Sequence, residues 1–128
     1  LFITEDPYLV NLLEKTSYDQ IYDEHIYMFS ITSIKKIFKL FNFELIDVLP
    51  QSTHGGSMRY VLSRNGEYSV SKNVKEGLAK EEKNKLHKLE SCLIFKKNCE
   101  EFYKKNEKRR FSYKYITRTN YKTFRCCF

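Results

Sequence analysis

The sequence predicts an α/β fold, from an order of strand, short helix, helix, strand, strand and then helices. Three observations carry that order. The chain opens on LFIT, apolar and β-prone. Ile34, Ile37, Phe38 and Phe41 recur at helical spacing. Two alternating stretches, from Phe43 to Leu49 and from Met58 to Arg64, flank QSTHGGS.

Leu1 to Ile3 reads as a strand that EDP ends, leaving its acids at the carboxyl edge. Residues 7–13 predict a short helix, with Leu9, Leu12 and Leu13 at helical spacing. The next helix spans Ser30 to Phe41, capped by Ser30, or by Thr32 if it begins later. Lys35, Lys36 and Lys39 lie off its apolar face, and Asn42 is a plausible stop. Phe43 to Leu49 is a strand ended by Pro50, and Met58, Tyr60 and Leu62 share one face of the next. The two form an antiparallel pair at one edge of the sheet, and Asn65-Gly66 marks a turn. From about Lys72 to Asn106 the pattern is helical and charged, one long helix or two in succession. Val74, Leu78, Leu86, Leu89, Leu93 and Phe102 form an incomplete stripe.

At 128 residues the chain can form one small domain. No run of 18 apolar residues is present, so no helix is expected to span a membrane. Charge is uneven. Residues 1–64 hold six Lys/Arg against eight Asp/Glu, whereas residues 104–128 hold nine basic residues and one acid. Cys92, Cys99, Cys126 and Cys127 match no metal-pair spacing and read as reduced thiols of a cytoplasmic protein.

YDQIYDEHIY, Tyr18 to Tyr27, holds three tyrosines, three carboxylates and a histidine. Histidine titrates nearest neutrality, so His25 suits proton abstraction. Glu24 can bind a hydroxyl or orient a partner, and Tyr22 can donate to an oxygen gaining negative charge. Together they suit removal of a proton next to a carbonyl. A polar loop with a surface histidine is the plainer interpretation of the same residues.

EDPYL, YDQIYDEHIYMFS, ELIDVLPQ and THGGSMRYVLSR, in this order, resemble the sugar C-methyltransferases that use S-adenosylmethionine. The resemblance covers about Phe2 to Arg64. It implies that residues 1–70 are the C-terminal part of a class I, Rossmann-like methyltransferase core. Phe2 to Glu5 would end its fifth strand, and the last two strands would include an antiparallel edge. Tyr18 to Phe29 would be an inserted active-site segment above the carboxyl edge of the sheet. Tyr22, Glu24 and His25 match the family's sugar-facing residues, with His25 the base. The substrate implied is a nucleotide-linked keto-deoxysugar. Tyr18, His54 and Arg59 are candidates for contacting it, although a surface salt bridge is an equal alternative for Arg59. Gly55 and Gly56 read as a tight turn.

The resemblance also implies parts that are not in this stretch. These are the glycine-rich cofactor turn, the family's N-terminal zinc segment and a second α/β domain. Residues 71–103 would be the helical connection toward that domain. Residues 104–128 fit no template and read as a disordered or frameshifted tail. The chain is expected to begin mid-fold, to need an N-terminal SAM-binding portion as partner, and to be inactive alone. The alternative is a non-catalytic module in which the interleaved basic and aromatic residues of 104–128 hold nucleic acid.

Overall fold

The computed structural model describes residues 1–21 and 25–106. The first strand, β1, spans Phe2–Pro7, so the acids expected to end it lie inside it. Pairing overrides their weak strand propensity: Glu5 lies opposite Arg59 and Pro7 opposite Ser57 in the antiparallel ladder with a later strand. Pro7 is tolerated because β1 is an edge strand.

Helix α1, Leu9–Lys15, buries Val10 and Leu12 and ends at Thr16, which adopts a left-handed conformation. A 3₁₀ turn, Tyr18–Gln20, follows. Helix α2 spans Ile31–Lys39, with Ser30 rather than Thr32 as its cap. The Ser33 N–H donates to Ser30 Oγ at 3.0 Å, and the Ser30 N–H donates back to Ser33 Oγ at 2.8 Å. Ile31 and Ile34 are buried and Phe38 packs beside them, whereas Ile37 and Phe41 are exposed. Ile37 sits roughly 90° round from the middle of that stripe, and Phe41 lies beyond the last helical residue. Asn42 follows with a φ of 60°.

Strand β2 runs Phe43–Gln51 and β3 runs Ser57–Arg64. Pro50 does not end β2. It is accommodated opposite Met58 because β2 forms the other edge. A register shift between Leu45 and Asp47 leaves Ile46 as the extra residue, which explains the broken alternation there. The sheet order is β1-β3-β2. The expected antiparallel pair is present, with β3 as its inner member, antiparallel to both neighbours. β1 and β2 therefore point the same way.

The charged helical stretch is two helices, α3 at Lys72–Lys83 and α4 at Leu89–Asn106, with Lys85 at positive φ between them. Met58, Tyr60 and Leu62 pack with Leu45, Val48, Ile31, Ile34, Val10 and Val74 in the main core, with Leu78 and Leu86 at its margin. A smaller cluster joins Leu12, Ile21 and Phe95. The expected stripe fails in α4. Leu89 and Leu93 are exposed, and Phe95, with Cys99 beside it, carries the contact.

Gly77 lets α3 approach α2. An added Cβ would stand 2.2 Å from Ile31 Cδ1, and Ile31 is fully buried. Helix propensity alone would make Gly77→Ala stabilising by about 1 kcal/mol. Overpacking of about 1–3 kcal/mol opposes it, so the urea midpoint is expected to fall; a higher midpoint would show that Ile31 can move aside.

Asp47 joins β2 to the start of α3. Ser71 Oγ donates to Asp47 Oδ1 at 2.6 Å and Asn73 Nδ2 at 2.9 Å, while Ser71 Oγ also accepts from the Val74 N–H and so caps α3. The Ser71 hydrogen bond, helped by those from Asn73 and the Val48 N–H and opposed by desolvation, holds the carboxyl below its ordinary value of 3.8. A lowered value means that the contribution is present above pH 3.8 and lost as pH falls through the folded value. Acid titration of stability should show this limb in the wild type and a flatter one in Asp47→Asn.

Candidate functional site

A loop of chain leaves the sheet after β1 and returns just before α2, and its two feet touch. Tyr8 and Phe29 form an isolated parallel bridge, and the Leu9 N–H donates to the Phe29 carbonyl at 2.9 Å. Between the feet lie α1, the 3₁₀ turn with Tyr18, and His25. β1 delivers Tyr8 just past its carboxyl end.

The feet are fixed by a carboxylate that sequence reasoning did not single out. Glu81 of α3 is 2% exposed. Its Oε1 accepts from the Tyr8 hydroxyl at 3.0 Å and the Ile31 N–H at 2.5 Å. Its Oε2 accepts from the Thr32 N–H at 2.9 Å and Thr32 Oγ1 at 2.6 Å. The signal was present: Glu81 continues the helical spacing of Val74 and Leu78, so a charge occupies an apolar-stripe position. Burial, and then the charge of Glu81, push the phenols of Tyr8 and Tyr60 far above the ordinary tyrosine range.

The THGG turn packs on the same loop. Thr53–Gly55 forms a 3₁₀ turn, and Gly55 and Gly56 have φ of 73° and 130°. The turn expected there is therefore present. The glycines serve a second purpose, close approach: an added Cβ would lie 2.4 Å from Gln20 Nε2 at Gly55 and 2.3 Å from Asn11 Nδ2 at Gly56. The Tyr8 N–H donates to the Gly56 carbonyl at 3.1 Å, and Lys15 Nζ donates to that of Gly55.

The nominated residues fall in different places. Tyr22 and Glu24 lie outside the described residues. His25 is half-buried immediately after them. Tyr18 packs its ring on Phe102 of α4, with centroids 5.8 Å apart. The backbone of His54 sits in the turn that meets Gln20, so it and Tyr18 share one neighbourhood. Arg59 lies elsewhere. It alternates with the buried Met58 and Tyr60, and so faces the other side of the sheet. Its Nε and Nη2 donate to Glu5 Oε2 at 3.1 and 2.9 Å, while Thr53 Oγ1 donates to Glu5 Oε1 at 3.0 Å. A cleft of about 310 Å³ opens beside the feet, lined by Tyr8, Asn11, Ile31, Met58, Gly77 and Lys80 among others.

The glycines do not fit an S-adenosylmethionine site. The space before Gly55, Gly56 and Gly77 is filled by Gln20, Asn11 and Ile31, and Gly66 stands in an exposed turn. Among the described residues no group of three His, Cys, Asp or Glu could hold a metal ion. Cys92 and Cys99 are free thiols whose pKa burial raises. No helix among the described residues is long and apolar enough to cross a membrane. The basic tail, from residue 107 onward, lies outside the described residues.

Two comparisons bear on these observations. Residues 52–114 match the family described as "C-methyltransferase C-terminal domain". The match runs from the THGG turn through β3, α3 and α4. The chain is also 40% identical over 58 residues to C-methyltransferase NovU of Streptomyces niveus, an alignment that covers 45% of this chain. The chain spans 14% of that curated relative's length.

The side chains of Arg59 and Glu5 are 43% and 31% exposed, and such pairs contribute about 0–1 kcal/mol. Arg59→Ala should therefore lower unfolding free energy by no more than about 1 kcal/mol. A loss above roughly 2 kcal/mol in urea titration would assign Arg59 a structural role that its surface pair does not supply.

Proposed function

We propose, from the match of residues 52–114 to the C-methyltransferase C-terminal domain and the 40% identity over 58 residues to a C-methyltransferase, that the chain is part of an enzyme that methylates a carbon next to the ketone of a nucleotide-linked deoxysugar. The observation that carries this reading is the loop between Tyr8 and Ser30, which holds His25 and closes at the carboxyl end of β1 against the THGG turn.

His25 acts as the base. It removes the proton from the carbon beside the carbonyl, and Tyr22 donates a hydrogen bond to the oxygen that becomes an enolate. Glu24 binds a sugar hydroxyl or orients the base, while Tyr18 and His54 are assigned to contact with the substrate. S-adenosylmethionine supplies an activated methyl group from a site outside the described residues. The contribution of this chain is proton removal and positioning.

The sheet supports a class I methyltransferase core. β1 and β2 point the same way with β3 reversed between them. The outer edge of β1 is unpaired among the described residues, and Leu1, Phe2 and Ile3 are exposed along it. That edge suits addition of the strands carrying the cofactor turn. On this reading the 128-residue chain alone does not transfer methyl groups.

The test is made in a full-length enzyme that includes this segment. His25→Ala should lower kcat by about 10²–10⁴-fold with the affinity for S-adenosylmethionine unchanged by calorimetry. The variant should also lose deuterium incorporation at the carbon next to the ketone in heavy water. Full turnover by His25→Ala would remove histidine as the base.

A further inference from the structure

The mechanism assigns no work to Glu81, which lies on α3, far along the chain from the residues proposed to act. We infer that Glu81 is a positioning residue: it clamps together the two feet of the active-site loop, and so fixes where His25 and its neighbours stand. The inference rests on the functional reading above for what the loop does, and on geometry alone for what holds it.

The clamp is visible in where the four donors come from. The Tyr8 hydroxyl belongs to the outgoing foot. The Ile31 N–H, the Thr32 N–H and the Thr32 hydroxyl belong to the returning one. The glutamate is about 50 residues away from the second foot and 73 from the first. Nothing local in sequence brings these groups together.

The start of α2 needs this carboxylate. The first N–H groups of a helix have no intrahelical acceptor. Ser30 Oγ takes the Ser33 N–H, which leaves those of Ile31 and Thr32. Glu81 takes both, one on each oxygen. A carboxylate at this end is also favoured by the helix dipole. No lysine or arginine forms an ion pair with Glu81 among the described residues, so its negative charge is met by these neutral donors and the positive end of α2.

Gly77 and Lys80 of α3, with Asn84 just past its end, hold the clamp in reach. Gly77, one turn before Glu81 on the same face, removes the side chain that would hold α3 away from Ile31. Lys80 Nζ and Asn84 Nδ2 donate to the two oxygens of Glu14 on α1, at 3.0 and 3.1 Å. α3 therefore grips the loop at its body as well as at its feet.

The test is amide hydrogen exchange on the full 128-residue chain, comparing wild type, Glu81→Gln and Tyr8→Phe. Glutamine keeps the shape but turns one acceptor into an NH₂ that faces donors. Tyr8→Phe removes one donor and keeps the ring, so it serves if Glu81→Gln does not fold. Exchange of residues 9–32 should rise by at least tenfold in either variant while the amides of β3 hold their wild-type rates. Unchanged exchange in 9–32 would overturn the clamp. So would acceleration spread equally over β3, which marks general destabilisation only.

A second readout addresses position. In a full-length enzyme that includes this segment, Glu81→Gln should lower kcat by at least tenfold at an unchanged KM for S-adenosylmethionine. An unchanged kcat would overturn the positioning role. If the wild-type enzyme transfers no methyl group, the functional reading fails, and the exchange measurement still decides the clamp.

Discussion

One buried carboxylate joins three parts of the chain that are far apart in sequence, Tyr8, the start of α2 and α3. Taking an ionised side chain out of water costs several kcal/mol unless its lone pairs are filled. Glu81 meets that condition with two donors on each oxygen. The dependence runs both ways. Without Glu81, the first two N–H groups of α2 and the Tyr8 hydroxyl would be left unsatisfied in or near the core, at about 1–3 kcal/mol each. Without those donors, the carboxylate would be stranded. Such an arrangement favours a single geometry over a loose family of them, since any slippage of α3 breaks several bonds at once.

The sheet is organised around β3 in a comparable way. It is bonded on both sides, and its alternation sends Met58, Tyr60 and Leu62 into the core while Arg59 and Val61 face away. β1 and β2 are edges, and they differ in protection. β2 has α2 and α3 packed on it. β1 has exposed apolar residues near its start and a salt bridge near its end. At the end that approaches the candidate-site loop, Glu5 accepts from both Arg59 and Thr53. The arginine nominated for substrate contact forms a surface pair with Glu5 on the strand from which the loop departs.

Much of this organisation could be read from the residues, for identifiable reasons. Ser30 was one of two caps that the sequence offered, with Thr32 the other, and the alternation of Met58, Tyr60 and Leu62 marked the core face of β3. What could not be read depended on distant partners. Pro7 and Pro50 are strand enders by local chemistry, yet each sits in an edge strand whose pairing overrides that preference. The stripe in α4 was misread because Leu89 and Leu93 satisfy helical spacing as well as Phe95 does, and spacing cannot say which face a neighbour covers. In the candidate site, YDEH and THGG stood out by composition, and that the turn packs on the loop was hidden until Gly55 and Gly56 met Gln20 and Asn11. Glu81 was overlooked in a charged helix, where one glutamate resembles the rest.

Tyr60 shows how far the same core will tolerate a polar atom. Its side chain is fully buried, and its hydroxyl has no hydrogen-bond partner among the described residues. An unsatisfied buried hydroxyl costs on the order of 1–3 kcal/mol, and phenylalanine would fill nearly the same volume without that cost. Burial, and then the nearby charges of Glu81 and Asp6, act in one direction on this phenol and favour its neutral form. A neutral phenol keeps a proton that it can donate, whereas an ionised one would repel Glu81. Tyr8 is subject to the same two influences, burial and Glu81, and it does donate. The pair therefore makes a useful contrast within one core. Both tyrosines are buried beside the same carboxylate, and only Tyr8, at the foot of the loop, has its proton engaged by it. The restraint at the outgoing foot comes from where its hydroxyl points, since burial and charge are common to both tyrosines.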